Sequence, residues 1–518
     1  MKKLIYSLVL LMSSHMISQA QPGIQWQKNY GGNNADRAMS TKQTTDGGYI
    51  VAGYTLSNNG DVTGYRGGED YWVLKLNSAG TIQWKRTFGG SGDDRCYAVQ
   101  QTADGGYILA GTSNSSDGQV TNAKGGFDMW IVKLNSSGTI TWKKNLGGSD
   151  DDAAYSIDEL AAGGYVVAGE SKSSTGDIDN NKGGYDYWIT KLSATGNLVW
   201  EKNYGGSADE SAKSVQECSD GSIIVAGETT SNDYDITNNN GGYDFWVLRL
   251  RPNGNVRWKN TYGGTANDNA YSITQISNGN FVVVGETESN NGHVPDNAGG
   301  DDFWVMTLRG SGSVLWSKTY GGEANDNARF VRETTDGAVV VVGKTESDGG
   351  DVTGHKGGHD FWVIKVIKST GNLDWEKSLG GFDNDFGYGI DVTADGSQVV
   401  VGDSESDDGD LNNNKGNADY WIVKLTASGQ RLQSSDESTS ISALSAYPNP
   451  ATSLVNISAD GVNIQQINVV SLEGKMITTV MPNTAYYQFD ISAFPKGIYL
   501  LQAVLEDGME KFTKLIVE

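Results

Sequence analysis

A pair of tryptophans 12 residues apart returns along this chain at a nearly fixed interval, and that interval limits the possible fold more than any other feature. The stretch Asp70-Tyr71-Trp72, through Gly80, to Trp84 is copied around Trp130/Trp142, Trp188/Trp200, Trp246/Trp258, Trp304/Trp316 and, with one residue added, Trp362/Trp375. Trp26 and Trp421 stand unpaired at the two ends, and together these are all 14 tryptophans of the chain. Counted from Trp26 through Trp84, Trp142, Trp200, Trp258 and Trp316 to Trp375, the steps are five of 58 residues and one of 59. Seven copies of one supersecondary unit bury a core only by packing against each other.

Each unit reads as four short strands. In the second copy, Asp94 to Thr102 alternates apolar or small residues with polar ones, and Tyr107 to Gly111 follows after Ala103-Asp104-Gly105-Gly106. That hairpin signal returns as Asp46-Gly47, Asp220-Gly221, Asn278-Gly279, Asp336-Gly337 and Asp395-Gly396, while the third copy departs with Ala162-Gly163. Beyond a long loop, Met129 to Leu134 and Thr139 to Lys144 flank the turn Asn135-Ser136-Ser137-Gly138. Four antiparallel strands per unit with no helical periodicity describe a propeller blade, so the expectation is an all-β, seven-bladed β-propeller.

The first strand carries small residues where sheets would converge on an axis: Ala38, Cys96, Ala154, Ala212, Ala270, Ala328, Gly387, and then Ser40, Ala98, Ser156, Ser214, Ser272, Phe330, Gly389. Phe330 is the bulky exception. Where a fourth-strand tryptophan is due after Trp421 the chain has Gln433, while the fourth-strand segment Gly23 to Lys28 has no partner at the other end. The two defects predict that the N-terminal strand completes the last blade and so removes two open sheet edges.

The formal net charge of -24 over 518 residues argues against nucleic acid as a partner and favours cations or basic groups. Met1-Lys2-Lys3, the apolar run Leu4 to Met12 and Ser18-Gln19-Ala20 have the zones of a secretory signal peptide spanning 1–20, with cleavage expected after Ala20. No later window reaches the roughly 18 to 20 apolar residues that a membrane-spanning helix needs, so no transmembrane segment is expected. The two cysteines, Cys96 and Cys218, fall at different phases of the repeat, which leaves a bridge or two buried thiols as the readings and excludes a disulfide framework.

The repeat region is assigned to 21–430, a polar linker to 431–444 and a second module to 445–518. In that module the alternating runs Ile464 to Val470, Lys475 to Val480, Tyr486 to Ile491, Ile498 to Val504 and Phe512 to Val517 predict a small Ig-like β-sandwich. Tyr447-Pro448-Asn449-Pro450-Ala451, Gly474, Pro495-Lys496-Gly497-Ile498-Tyr499-Leu500 and the ending Lys514 to Glu518 resemble the type A C-terminal sorting domain of the type IX (Por) secretion system. The resemblance marks Pro448, Asn449, Pro450, Gly497, Tyr499 and Lys514 as the sorting motif. It implies export across both membranes with the type IX machinery as partner, and removal of the domain followed by release or attachment to surface lipopolysaccharide. The repeats resemble tandem propeller repeats of proteins secreted by that system; a likeness to the tryptophan-docking pattern of quinoprotein propellers bears on the fold only.

Several groups are candidates for chemistry. Asp36, Asp94, Asp152, Glu210, Asp268, Asp326 and Asp385 follow a Gly-Gly turn in all seven copies. They either ring the channel mouth and attract a cation or a basic partner, or accept N–H bonds from their own glycine turns. The long loops carry Asp61, Gln119, Asp177, Asp235, His293, Asp351 and Asp410, and then Asp70, Asp128, Asp186, Asp244, Asp302, Asp360 and Asp419 before the aromatic-Trp. Such loops raise calcium as the one cofactor to consider, although their spacing matches no twelve-residue calcium loop. His293, His355 and His359, with Asp351 and Asp360 near in sequence, raise a transition metal, the alternative being solvated loop residues. The tryptophans either stack on glycans or pack between blades.

No unique catalytic set stands out, so the expected role is a monomeric, secreted or surface-attached module that binds a protein or glycan ligand. The alternatives are a polysaccharide-active hydrolase or lyase, and a structural surface adhesin.

Overall fold

The structure, a computed structural model, describes residues 21–411, 413–427, 444–458, 463–471, 475–506 and 510–518. The expected signal peptide, residues 431–443 of the expected linker and Gly474 lie outside them. The chain divides into two compact units, Met1–Leu432 and Gln433–Glu518. Among the described residues every regular element is a β-strand.

The first unit contains seven four-stranded antiparallel sheets. Six are built from consecutive strands, as in Asp94–Gln101, Tyr107–Ser113, Asp128–Leu134 and Ile140–Leu146. In the seventh, Ile24–Tyr30 pairs with Asp419–Leu425, so the outermost strand of the last sheet comes from the other end of the unit. Each first strand carries a bulge, between Cys96 and Ala98 in the second sheet, which lets two successive residues face the same side. The Asp-Gly turn is closed by Gly105 N–H to Thr102 O at 2.8 Å, with Gly105 at φ 77°, a conformation that disfavours any residue with a Cβ.

First strands meet first strands. Val99 N–H donates to Ser40 Oγ (3.2 Å), Glu159 N–H to Gln100 Oε1 (3.0 Å), Glu217 N–H to Asp158 Oδ2 (2.7 Å), Gln275 N–H to Gln216 Oε1 (2.7 Å) and Val331 N–H to Ser272 Oγ (3.4 Å). Arg332 Nε of the sixth sheet lies 3.6 Å from Asp391 Oδ1 of the seventh, Gln43 N–H returns to Asp391 Oδ2 at 2.8 Å, and the circle is complete. The core lies between sheets. The third-strand tryptophans Trp72, Trp130, Trp188, Trp246, Trp304, Trp362 and Trp421 are at most 1% exposed. Each takes the third-strand aromatic of the preceding sheet against its face, from Tyr71–Trp130 (4.6 Å) round to Tyr420–Trp72 (4.4 Å), with Met129 standing in once. The tryptophan side chains are therefore packing between sheets. Cys96 and Cys218 are both buried and unbridged.

The second unit holds a three-stranded and a four-stranded antiparallel sheet that share one core of Val455, Ile457, Ile467, Val469, Leu501, Ala503 and Leu515. Asn449 bridges the motif to the final strand: its Nδ2 donates to Lys514 O (2.5 Å) and its Oδ1 accepts Ile516 N–H (2.8 Å). Tyr499 donates its hydroxyl to Pro495 O at 2.7 Å, and Gly497 pairs with Val517.

Candidate functional site

Two sets of polar residues occupy the end of the first unit where first strands begin. One repeats in every sheet. The seven acids Asp36, Asp94, Asp152, Glu210, Asp268, Asp326 and Asp385 are no more than 1% exposed. Each accepts the N–H of the second glycine of its own turn, at 2.6 to 2.8 Å: Gly32, Gly90, Gly148, Gly206, Gly264, Gly322 and Gly381. Hydroxyls complete the shell, Ser115 on Asp94 and Ser173 on Asp152 at 2.8 Å each. These carboxylates thus serve the turns from inside the protein, the arrangement in which they are turn acceptors. The first glycine's N–H goes to the long loop: Asp61, Asp177 and Asp410 take it at 3.1 to 3.2 Å, and Gln119 Oε1 and His293 Nδ1 take the same bond in their sheets at 3.0 and 3.3 Å.

The third acid of each junction is the Asp70 class, all at most 1% exposed. Asp70 Oδ2 accepts Arg66 N–H at 2.7 Å, and its equivalents do likewise four residues upstream, while Oδ1 of all seven has no hydrogen-bond partner. A Cβ on Gly89 would lie 2.1 Å from Asp70 Oδ1 and 2.5 Å from Asp94 Oδ2, so the two carboxyls close on the glycine from either side and only hydrogen fits between them. Burial, with the neighbouring acid adding to it, pushes Asp70, Asp244, Asp302 and Asp419 up to about 7; burial likewise holds Asp36 and Asp385 at about 6.

The three histidines are engaged separately. His293 packs on Tyr262 (5.5 Å) as well as capping Gly263. His355 Nε2 lies 2.7 Å from Gly358 O, and His359 Nδ1 lies 3.0 Å from Glu346 Oε1. Among the described residues no group of three or more His, Cys, Asp or Glu side chains is placed to hold a metal.

The second set does not repeat. Cross-strand pairs at the axial ends of the first two strands read Arg37/Tyr54, Arg95/Thr112, Ala153/Glu170, Ser211/Glu228, Asn269/Glu286, Asn327/Lys344 and Phe386/Asp403. Two residues further in stand Met39, Tyr97, Tyr155, Lys213, Tyr271, Arg329 and Tyr388. These side chains touch from sheet to sheet. Tyr155 donates to Glu170 Oε1 (2.8 Å); Lys213 Nζ lies over the Tyr155 ring at 4.3 Å, 3.5 Å from Glu228 and 3.9 Å from Glu170. Tyr271 donates to Glu286 Oε1 (2.8 Å), and Arg329 covers the Tyr271 ring at 3.9 Å and reaches Glu286 Oε2 at 3.7 Å. Asp403 is fully buried with neither oxygen hydrogen-bonded, and burial pushes it up to about 8 although Arg37 lies 3.9 Å away. Below this mouth a cavity of about 230 Å³ is lined by Lys42, Gln100, Asp158, Gln216, Thr274 and Arg332, one residue from each of six sheets, and Arg332 covers Phe330 at 4.3 Å. Reading the repeat for identity leads to the junction acids; the axial set appears only when the same columns are read for divergence.

Residues 445–518 match the secretion system C-terminal sorting domain family. A curated relative, the regulatory protein FlaEY of Caulobacter vibrioides, is 24% identical over 303 residues, covering 53% of this chain and 32% of its own length, so the chain spans about a third of that relative. Among solved structures, the WD40 domain of Neurospora crassa Pan2 aligns at TM-score 0.45 and 12% identity over 81% of this chain and 99% of that one. PorZ, a surface component of the type IX secretion system of Porphyromonas gingivalis, aligns at TM-score 0.34 and 11% identity over 94% and 70%. No helix among the described residues is long and apolar enough to cross a membrane. With its sorting domain the chain is a protein secreted by the type IX system, extracellular or attached to the cell surface.

Proposed function

We propose, for a chain that carries a type IX sorting domain, that its seven-sheet unit is a seven-bladed propeller acting as a binding module for a protein or glycan ligand outside the cell. The ligand meets the axial mouth. One observation carries this reading: seven sheets that keep the same glycines, acids and tryptophans at their junctions present seven different residue pairs at the axis. A scaffold needs sameness, whereas recognition of one ligand needs a particular asymmetric surface. The signal peptide, cleaved after Ala20, opens the route. Pro448, Asn449, Pro450, Gly497, Tyr499 and Lys514, on an Ig-like sandwich, are the face offered to the secretion machinery.

Glycan arrays and pull-downs from the native surface, run with the full chain, test the reading. The expected result is a saturable ligand whose binding is lost in Lys213→Met and Arg329→Met and kept in Arg86→Ala, an exposed position on a fourth strand. Binding lost equally in all three, or no saturable ligand across both screens, overturns it.

A further inference from the structure

Below the mouth, one position of the first strand has a structural task. Gln100, Asp158, Gln216 and Asp391 each accept the backbone N–H of the next first strand, from Glu159, Glu217, Gln275 and Gln43, at 2.7 to 3.0 Å. Glutamine suffices for that task, so closing the circle does not call for the negative charges of Asp158 and Asp391. Lys42 and Arg332, at the same position in the first and sixth sheets, carry no acceptor and cannot perform it.

In order round the circle the seven positions are Lys42, Gln100, Asp158, Gln216, Thr274, Arg332 and Asp391, and the first six line the axial cavity of about 230 Å³. Their charges are segregated. Asp391 stands between the two cations, its Oδ1 accepting from Lys42 Nζ at 2.8 Å and lying 3.6 Å from Arg332 Nε. One carboxylate facing two cations leaves that wall with one positive charge. Asp158 stands on the opposite wall, with the neutral Gln100 on one side and Gln216 and Thr274 on the other, and its own hydrogen bonds come from neutral donors, Gln100 Nε2 at 3.1 Å and Glu217 N–H at 2.7 Å. Arg332 has donors to spare: one N–H goes to Val331 O at 3.3 Å, and Nε has no hydrogen-bond partner. The side chains of Lys42 and Arg332 are 28% and 24% exposed, so both cations are within reach of a solute in the cavity. Lys213, the other cation of the lining, is engaged at the mouth by Glu170 and Glu228. Burial disfavours all three of the segregated charges, pushing Lys42 and Arg332 down and Asp158 up, and Arg332 adds to the effect on Lys42. A ligand that brings the opposite charge to each wall offsets that cost.

We infer that the axial cavity binds a small zwitterion, an amino acid whose carboxylate meets Lys42 and Arg332 and whose ammonium meets Asp158. A planar carboxylate fits the guanidinium fork. A molecule with no net charge is also not repelled by Glu170 and Glu228 at the mouth as an anion is. The inference goes beyond the macromolecular ligand proposed for the mouth and does not depend on it.

Isothermal titration of the full chain with leucine, 6-aminohexanoate, 4-methylpentanoate and 3-methylbutylamine, all at one ionic strength set by sodium chloride, tests it. The expected result is saturable binding of at least one of the two zwitterions, about tenfold tighter than the acid or the amine alone, the worth of one charge-assisted hydrogen bond. Which zwitterion binds tells a short charge separation from a long one. Asp158→Asn keeps an acceptor for Glu217 N–H and is expected to weaken the zwitterion about tenfold while leaving 4-methylpentanoate unchanged or improved. Lys42→Met is expected to weaken both. Arg332→Lys, which keeps the charge and loses the fork, serves if Lys42→Met fails to fold, and a cooperative melt certifies each variant. No saturable zwitterion binding, equal binding of a single-charge analogue, or a folded Asp158→Asn protein that binds the zwitterion undiminished or loses zwitterion and acid alike overturns the inference. A macromolecular ligand that depends on Lys213 and Arg329, without zwitterion binding, sinks this inference and leaves the proposed function standing. Zwitterion binding without any macromolecular ligand does the reverse.

Discussion

Two rings of polar residues stand at one end of the seven sheets, one at the sheet junctions and one at the axis. At the junctions Asp94 and Asp70 and their equivalents are buried, spaced alike and bonded alike in every sheet. At the axis no two sheets agree. Neighbouring positions on one strand, such as Asp94 and Arg95, therefore repeat or diverge independently: the junction ring closes the circle, and the axial ring varies from sheet to sheet. Repetition in a repeat protein marks what every unit needs in order to pack against the next.

The largest effect expected at the junctions is their response to pH. Asp70, Asp244, Asp302 and Asp419 titrate near 7, raised by burial above the roughly 3.9 of an unfolded aspartate. A raised value stabilises the fold fully below pH about 4, and the contribution is lost as pH rises through 7. The turn acids Asp46 and Asp104, each beside a lysine and held at about 2, act with the opposite sign: theirs is present above pH about 4 and lost toward pH 2. Unfolding free energy measured in urea should peak near pH 4 and fall between pH 5 and 7, by roughly 2 kcal/mol per unit or more, since each proton contributes up to about 1.4. A flat profile from pH 5 to 8 would mean that the junction carboxyls ionise freely and that the pairs across Gly89 and its equivalents do not repel.

Next comes the core that the junction shares. Trp130 is fully buried, its ring 4.6 Å from that of Tyr71 in a tilted contact, and its carbonyl accepts the Tyr71 hydroxyl at 2.9 Å. Trp130→Ala should cost about 3 to 5 kcal/mol. Tyr185→Leu, on the axial side, should stay within about 0.5. Thermal unfolding of the two proteins draws the line between the rings; a comparable loss in both would erase it.

Much of this was legible in sequence, for a physical reason. Strands, turns and the inter-sheet tryptophans recur because each sheet must solve the same packing problem, and the lone strand Gly23 to Lys28 stood out because an unpaired edge is costly. The strand around it does pair with Asp419–Leu425. The axial site was not legible, because its residues come from strands whose lateral order about an axis a linear pattern does not encode. His293 misled for a related reason: in one sheet it takes the hydrogen bond that aspartate takes elsewhere, so its rarity signalled substitution within a structural role. Phe330, noticed only as an exception, lines the axial cavity beneath Arg332.

A smaller effect probes a single junction. Asp94→Ala strips the acceptor from Gly90 N–H and Ser115 Oγ and should cost about 1 to 3 kcal/mol near pH 5. At pH 8 the loss should shrink, because removing Asp94 also frees Asp70 from a like charge across Gly89. If the cost is the same at both values, the two carboxyls are electrostatically independent.

The smallest effect asks whether a departure from the repeat is always functional. In the second sheet Asp104 caps its turn by accepting Gly106 N–H (2.9 Å) and draws Lys133 Nζ to 2.9 Å; Asp46, Asp336 and Asp395 likewise meet Lys75, Lys365 and Lys424. The third sheet has Ala162 there, with Lys191 left on the strand behind it. That turn lies at the far end of the first strand from the mouth, so the departure should be a loss of stability and nothing more. Ala162→Asp is expected to gain about 0.5 to 1 kcal/mol, modest because the equivalent Asp104 side chain is 66% exposed. Adding Lys191→Met should cancel most of the gain, while ligand binding stays unchanged. If the gain is absent, the cause is the backbone: Gly164 has φ 85°, whereas Gly106 is not left-handed, and the altered turn does not aim its second residue at the lysine. If binding shifts instead, divergence away from the axis also serves recognition, and the division between the two rings fails.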